Sequence, residues 1–136
     1  MGLMKVAIVG SRSYQAASKV RDFIFQLKKK FGDDLVIISG GAKEGADRFA
    51  KKFALQFDVT YKEYNPAHTD YNLYSAMRKD YYNKPYHASQ FHHRNMMIGN
   101  TCNVMVAFCP DGVVTKGTAS AIKAAVRKKK PVTVIK

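Results

Sequence analysis

The sequence predicts an α/β fold, namely a three-layer Rossmann-like domain with a mainly parallel five-stranded sheet. Short apolar, β-rich runs alternate along the chain with segments of helical periodicity. Two strands joined through a helix need a crossover connection, so this alternation favours parallel strands with helices on both faces of the sheet. The 136 residues suffice for one hydrophobic core and are too few for two, so residues 1–136 are predicted to form a single domain.

The five predicted strands are short and rich in Val, Ile and Leu. Residues 5–9 (KVAIV) and 35–38 (LVII) have the continuous hydrophobicity of strands that are buried on both faces. Residues 59–63 form a third strand, which alternates and is more polar. Residues 104–108 (VMVAF) and 132–135 complete the set.

Four segments with apolar residues at three- and four-residue steps separate these strands. The predicted helices cover residues 16–31, 46–57, 88–100 and 117–129. Gly32 follows the first of them as a stop signal. Alanine and phenylalanine residues mark one face of the second, and Gly117 and Thr118 open the fourth.

Residues 66–86 interrupt the alternation of strands and helices. They contain five of the eight tyrosines: Tyr71, Tyr74, Tyr81, Tyr82 and Tyr86. We interpret this segment as an irregular insertion or lid whose tyrosines could stack on a nucleobase. Local packing or a contact between subunits is the alternative interpretation.

Glycine-containing loops follow the first, second and fourth strands. In an open parallel sheet, ligands bind outside the carboxyl ends of the strands, where glycines let the backbone approach an anion and the next helix presents free N–H groups. We therefore expect a pocket for phosphate or ribose at this edge. Its predicted binding residues are Gly10, Ser11, Arg12, Ser39, Gly40, Gly41, Ala42, Asp47, Gly117 and Thr118.

Two readings of these glycines stay open at this point. They form a binding pocket, or they serve only the tight turns between strands and helices. The chain has neither a Walker sequence nor a complete G-x-G-x-x-G motif, which argues against a nucleoside triphosphatase or an ordinary dehydrogenase.

The charge of the chain favours an anionic partner. Lys and Arg outnumber Asp and Glu by 23 to 10, which gives a net charge of +13. Such a balance suits nucleotides, phosphorylated metabolites or nucleic acid, and it does not choose among them. Many of these cations fall near predicted helix ends, where they can also offset the helix dipole.

Other residue types exclude several classes of protein. Cys102 and Cys109 lie in or beside an apolar stretch and are expected to be buried free thiols.

No apolar run approaches the ~18 residues of a membrane-spanning helix, so we expect a cytoplasmic protein. We expect no metal site, because the histidines lack the spacing of a zinc site, and we expect no cofactor. They are His68, His87, His92 and His93.

The glycine motifs and their order resemble those of the SLOG superfamily, and most closely its small YspA-like branch from bacteria and phages. The motifs are VGSR (9–12), SGGAxxGAD (39–47), RN (94–95), AF (107–108) and GT (117–118). The resemblance implies a Rossmann-like fold that binds nucleotides or nucleotide-derived ligands in the pocket that these loops form. It adds Gly45, Arg94 and Asn95 to the expected ligand-binding residues, with Arg94 as a clamp for an anion.

The related LOG phosphoribohydrolases carry an arginine before the fourth strand and a glutamate in the loop after it. Arg94 matches that arginine and is the candidate catalytic residue, whereas Ala121 stands where those enzymes have the glutamate. Glycosidic cleavage needs a carboxylate to stabilise charge or activate water. The missing glutamate therefore argues against this chemistry.

Three functions follow as hypotheses. The leading one is a sensor or sequestering protein for a nucleotide-derived ligand, such as an ADP-ribose-like or cyclic nucleotide signal. The alternatives are a LOG-like hydrolase that cleaves the N-glycosidic bond of a nucleoside monophosphate, and a nucleic-acid-binding protein. We also expect the chain to form a homo-oligomer.

Overall fold

The computed structural model describes residues 2–65, 70–85 and 87–136. The strands are β1 Met4–Gly10, β2 Leu35–Ser39, β3 Thr60–Glu63, β4 Val104–Phe108 and β5 Val132–Ile135. The helices are α1 Ala17–Phe31, α2 Ala46–Gln56, α3 Ala88–Thr101 and α4 Lys116–Arg127. Short 3-10 turns cover Gly32–Asp34, Lys79–Tyr81 and Pro110–Gly112. In the described part of the chain, no helix combines the length and the hydropathy needed to cross a membrane.

The five strands form one sheet in the order β3-β2-β1-β4-β5, and every neighbouring pair is parallel. The predicted fold class is confirmed. The chain builds outward from β1 through β2 to β3, and then returns to place β4 on the other side of β1. The strand order therefore reverses between β1 and β4, which is where a ligand crevice forms in sheets of this kind.

Helices cover both faces of the sheet and give the domain two hydrophobic clusters. On β1, Val6 and Ile8 join the cluster that contains residues of α1 and α2, whereas Ala7 and Val9 join the cluster that contains residues of α3 and α4. This alternation explains why the central strands are apolar at consecutive positions. Cys102 and Cys109 are buried free thiols, as predicted.

Several element ends differ from the sequence-based prediction by one or two residues, and two of these differences have clear local reasons. Strand β3 begins at Thr60 because Asp58 takes a left-handed conformation (φ 57°) and the Val59 N–H donates to the Ala54 carbonyl, which closes the end of α2. Helix α4 ends at Arg127, two residues early. There, Lys129 has a φ of 59°, and a left-handed residue stops the helix.

The tyrosine-rich segment packs along β3 over the residues that are described. The Ala76 N–H donates to the Glu63 carbonyl at 2.7 Å, and the Glu63 N–H donates to the Tyr74 carbonyl at 2.9 Å. Met77 and Tyr82 are buried in the second cluster. Residues 66–69, which include His68, and Tyr86 lie outside the described residues, so the lid stays a prediction.

Candidate functional site

Three loops meet at the carboxyl edge of the sheet because the strands that precede them are neighbours. Gly10 at the end of β1 is in register with Phe108 at the end of β4, and β2 flanks β1 on the other side. The loops after β1 and β2 are also in direct contact, since the Ala46 N–H donates to the Ser11 carbonyl at 3.3 Å. A Cβ at Gly45, which has a φ of 74°, would overlap this same carbonyl. Glycine at position 45 therefore lets the two loops pack together.

A small crevice lies at the reversal between β1 and β4. Its volume is about 40 Å³, enough for a small group and far below the size of a nucleotide pocket. Seven of the predicted site residues line it: Gly10, Gly40, Asp47, Arg94, Asn95, Gly117 and Thr118. Ala121, which replaces the glutamate of the LOG enzymes, also lines this crevice.

A second, much larger cavity borders the loop after β2 and has a volume of about 1020 Å³, the size of a small-molecule site. Five predicted residues line it: Arg12, Gly40, Gly41, Ala42 and Arg94. Gly40 and Arg94 line both spaces, so the crevice and the cavity meet at these two residues. Residues of α2 and β3 supply much of the remaining wall.

Arg94 is the half-buried cation at this junction. Its Nη1 donates to the Gly40 carbonyl at 2.9 Å, and its guanidinium carbon lies 5.3 Å from the centroid of the Phe91 ring. Burial lowers the pKa of Arg94, the charge of Asp47 raises it, and the charge of Arg12 lowers it further. Among the described residues, neither Arg94 nor Arg12 forms an ion pair within 4 Å.

Asp47 holds the loop after β2 from its position in the first turn of α2. Its Oδ2 accepts the Ala42 N–H at 3.1 Å. Burial raises the pKa of this carboxyl group, and the charge of Arg94 together with the hydrogen bond from Ala42 opposes that shift. The contact with a ligand that we predicted for Asp47 stays a prediction.

The side chains of the predicted binding residues Ser11 and Thr118 are engaged with neighbouring residues. The Ser11 Oγ lies 2.7 Å from the Ser13 Oγ, and the Ser11 N–H donates to the Phe108 carbonyl at 3.2 Å. The Thr118 Oγ1 accepts a hydrogen bond from the Thr115 hydroxyl at 3.1 Å. Their contacts with a ligand therefore also stay predictions.

Ser39 and Asn95, two further predicted binding residues, are both buried. Ser39 is fully buried beside Asp47 and Tyr61. The Asn95 Nδ2 donates to the Gly117 carbonyl over a long 3.5 Å and so links α3 to the first turn of α4. Asn95 therefore helps to place α4 beside the crevice.

A cluster that was not predicted from the sequence surrounds the buried carboxylate of Glu63, which lines the larger cavity. Its oxygens accept hydrogen bonds from the Tyr61 hydroxyl at 3.0 Å and from the Asn65 and Asn72 amides at 2.6 Å each. The Lys51 ammonium lies 3.5 Å away. The sequence did contain a signal for the burial of Glu63, because the alternation along β3 puts Glu63 on the same buried side as Tyr61.

The pKa of Glu63 reports this environment. Burial alone would raise it, but the hydrogen bonds from Asn72, Asn65 and Tyr61, together with the charge of Lys51, lower it overall. The group is therefore a carboxylate at neutral pH. Both of its oxygens are used by donors of the protein itself, so it organises the cavity wall.

The histidines that the structure describes lie in α3 or directly before it. His87 accepts the Ser89 N–H, His92 pairs with the Ser120 hydroxyl, and His93 contacts the Tyr81 ring. Within residues 2–65, 70–85 and 87–136, no group of three or more His, Cys, Asp or Glu side chains is placed to hold a metal ion.

The family model for the YspA, cpYpsA-related SLOG family matches residues 4–71, and the chain belongs to this family. The match covers β1 through β3 and includes both glycine motifs of the first half of the chain. Comparison with curated proteins gave no significant match.

Solved structures with the same fold include two proteins linked to the molybdenum cofactor. The molybdenum cofactor binding protein from Rippkaea orientalis has a TM-score of 0.72 at 18% identity, and the match covers 98% of this chain and 77% of that chain. The molybdenum cofactor carrier protein from Chlamydomonas reinhardtii has a TM-score of 0.69 at 16% identity, with 97% and 76% covered. At these identities the likeness is one of fold.

Proposed function

We propose that this protein binds a nucleotide-derived small molecule and holds a phosphate group of that ligand at Arg94, as a sensor or sequestering protein. One observation carries the proposal. Arg94 lies where the crevice meets the larger cavity, in electrostatic contact with Arg12, and neither guanidinium has a carboxylate partner within 4 Å among the described residues.

Two arginines that repel one another favour an anion between them, because the charge of Asp47 acts on Arg94 without forming an ion pair within 4 Å. A guanidinium group binds phosphate through two parallel hydrogen bonds, and this geometry is stronger than that of neutral donors. An anion at this position would also reverse the unfavourable effect of Arg12 on Arg94. The absence of a Cβ at Gly40 lets the Arg94 guanidinium lie against the loop after β2, at the edge of the cavity.

The comparisons support binding over hydrolysis. Two solved structures of this fold are described as a binding protein and a carrier protein for a small-molecule cofactor. Ala121 lines the crevice at the position where LOG enzymes carry the glutamate. A methyl group supplies no carboxylate for glycosidic cleavage, which favours retention of an intact ligand.

Calorimetric titration with adenosine, adenosine 5'-monophosphate and inorganic phosphate tests the proposal. We expect the monophosphate to bind and adenosine to bind more weakly. Arg94→Ala should weaken monophosphate binding by about 10-fold or more, the value of a charge-assisted hydrogen bond. Arg127→Ala, at the exposed end of α4, is the matched control and should bind like the wild type.

Absence of binding to every nucleotide in a broader panel would overturn the proposal. Equal binding by Arg94→Ala and the wild type would overturn the role of Arg94. Chromatography of the same mixtures provides a separate readout. Release of free adenine would favour the hydrolase instead.

A further inference from the structure

One face of α2 forms a cationic wall of the larger cavity. Four residues of α2 line this cavity: Arg48, Lys51, Lys52 and Leu55. Lys51 and Lys52 lie three and four residues from both Arg48 and Leu55, so the four residues share one side of the helix. The opposite face of α2 packs into the core through Ala50, Phe53 and Ala54. The apolar face therefore attaches the helix to the core, and the cationic face points toward the cavity.

The cationic side chains of α2 differ in what they already contact. The Lys51 ammonium lies 3.5 Å from Glu63 and 5.0 Å from the centroid of the Tyr74 ring. Arg48 and Lys52 are exposed, and neither has an ion pair within 4 Å among the residues that the structure describes. The Lys52 ammonium lies 5.3 Å from the centroid of the Phe53 ring. Two cations of this face are therefore open to an anion from solution.

The larger cavity has more positive charge than one phosphate needs. Arg12 and Arg94 stand at one part of its lining, and Arg48 and Lys52 stand on α2. The four-residue step from Arg48 to Lys52 spans about 6 Å along the helix axis. Arg48 and Lys52 are neighbours on one helical face and can contact the same phosphate, whereas Arg12 in the loop after β1 and Arg94 on α3 belong to other elements of the cavity wall.

We propose, resting on the function proposed above, that the ligand is a nucleotide with two separated phosphate groups. One phosphate binds at Arg94 and Arg12, and the second binds at Arg48 and Lys52. A volume of about 1020 Å³ accommodates a ligand of this size. The cationic face of α2 thus determines specificity against mononucleotides.

Acidic residues on the cavity lining favour a small ligand over a nucleic acid strand. Glu44 and Asp70 are exposed and line the same cavity. A strand that continued past the second phosphate would bring further phosphates close to these carboxylates, and like charges repel. A ligand that ends after two phosphates avoids this repulsion.

Calorimetry with four probes tests this proposal: adenosine 5'-monophosphate, adenosine 3',5'-bisphosphate, the dinucleotide pApA and a hexamer of the same series. We expect the bisphosphate and pApA to bind about 10-fold more tightly than the monophosphate, as one added charge-assisted contact implies. Arg48→Ala and Lys52→Ala should each reduce that advantage by about 3-fold to 10-fold. Lys123→Ala, on the exposed side of α4, is the control and should preserve it.

The possible outcomes separate the two proposals. If the wild type binds the monophosphate and the bisphosphate equally, or if Lys52→Ala weakens all probes by the same factor, the second phosphate site is wrong and the proposed function stands. If the hexamer binds far more tightly than pApA, the wall belongs to a nucleic acid groove, which overturns the small-ligand proposal. Binding of none of the probes contradicts both proposals.

Discussion

Gly40 shows how one backbone position controls the candidate site. Its Cα lies against the Arg94 guanidinium, and a Cβ at this position would overlap Arg94 Nη1 and come within 3.1 Å of Asp47 Oδ2. Nη1 is the far end of a flexible side chain, so an added methyl group moves Arg94 more easily than it moves the backbone. A substitution at Gly40 therefore tests the position of Arg94 while Arg94 is kept.

For Gly40→Ala we expect ligand affinity to fall by about 10-fold while the free energy of unfolding falls by only about 1 kcal/mol. Urea unfolding and calorimetry on the same preparation measure both quantities. Gly117→Ala is the control for stability, because a Cβ there meets nothing within 4 Å and alanine suits a helix better than glycine. A Gly40→Ala protein that binds as tightly as the wild type would contradict the proposed role of Arg94.

The hydrogen-bond partners of individual site residues could not be predicted from the sequence motifs. The motif around Ser11 indicates a loop at the end of β1, but it does not show that Ser13 and Phe108 already use the Ser11 hydroxyl and N–H groups. The same holds for Thr118 and its contact with Thr115. Hydrogen bonding of a short polar side chain is set by neighbours within a few ångströms, and a residue type alone does not specify them.

Strand β3 and the segment that packs on it depend on Glu63. Its main chain bonds to Tyr74 and Ala76, and its side chain accepts from Asn72 in the same segment. Loss of the carboxylate would leave two amides and one hydroxyl group without their acceptor. Unsatisfied buried donors are costly, so Glu63 contributes to the attachment of this segment.

We expect Glu63→Gln to lower the free energy of unfolding at pH 7 by about 2 kcal/mol. The folded protein lowers the pKa of Glu63, so this stabilisation is present above the pKa of the unfolded chain and is lost as the pH falls through the folded pKa. The difference between Glu63→Gln and the wild type should therefore shrink on acidification. Urea unfolding at a series of pH values from 7 down to about 3 would measure it.

Glu44→Gln is the matched control, since Glu44 is an exposed carboxylate that lines the same cavity. It should unfold like the wild type across the series. A constant difference between Glu63→Gln and the wild type at every pH would contradict the ionised state that we assign to Glu63.

The net charge of +13 acts on the molecule as a whole. Exposed lysines attract any polyanion, and this attraction weakens steeply as salt screens it. A phosphate held by a half-buried arginine is screened less. Salt dependence therefore separates binding in the site from adhesion to the surface.

We expect heparin binding to be lost between about 0.05 and 0.5 M NaCl, while binding of a nucleotide in the site weakens by about 10-fold or less. Titrations of both partners at the two salt concentrations would measure this. A nucleotide affinity that falls as steeply as that of heparin would mean that the nucleotide also binds only to the charged surface.

Periodicity along the chain was enough to predict the strands, the helices, the parallel sheet and the edge at which the glycine loops lie. The spacing of hydrophobic residues is a local property that can be read directly from the sequence. Two strands that are connected through a crossover helix can pair in few ways other than parallel. The placement of β4 beside β1, the approach of Arg94 to Gly40 and Arg12, and the burial of Glu63 emerge only in the folded chain. These contacts join residues far apart in the chain, and packing and electrostatics between distant segments decide them.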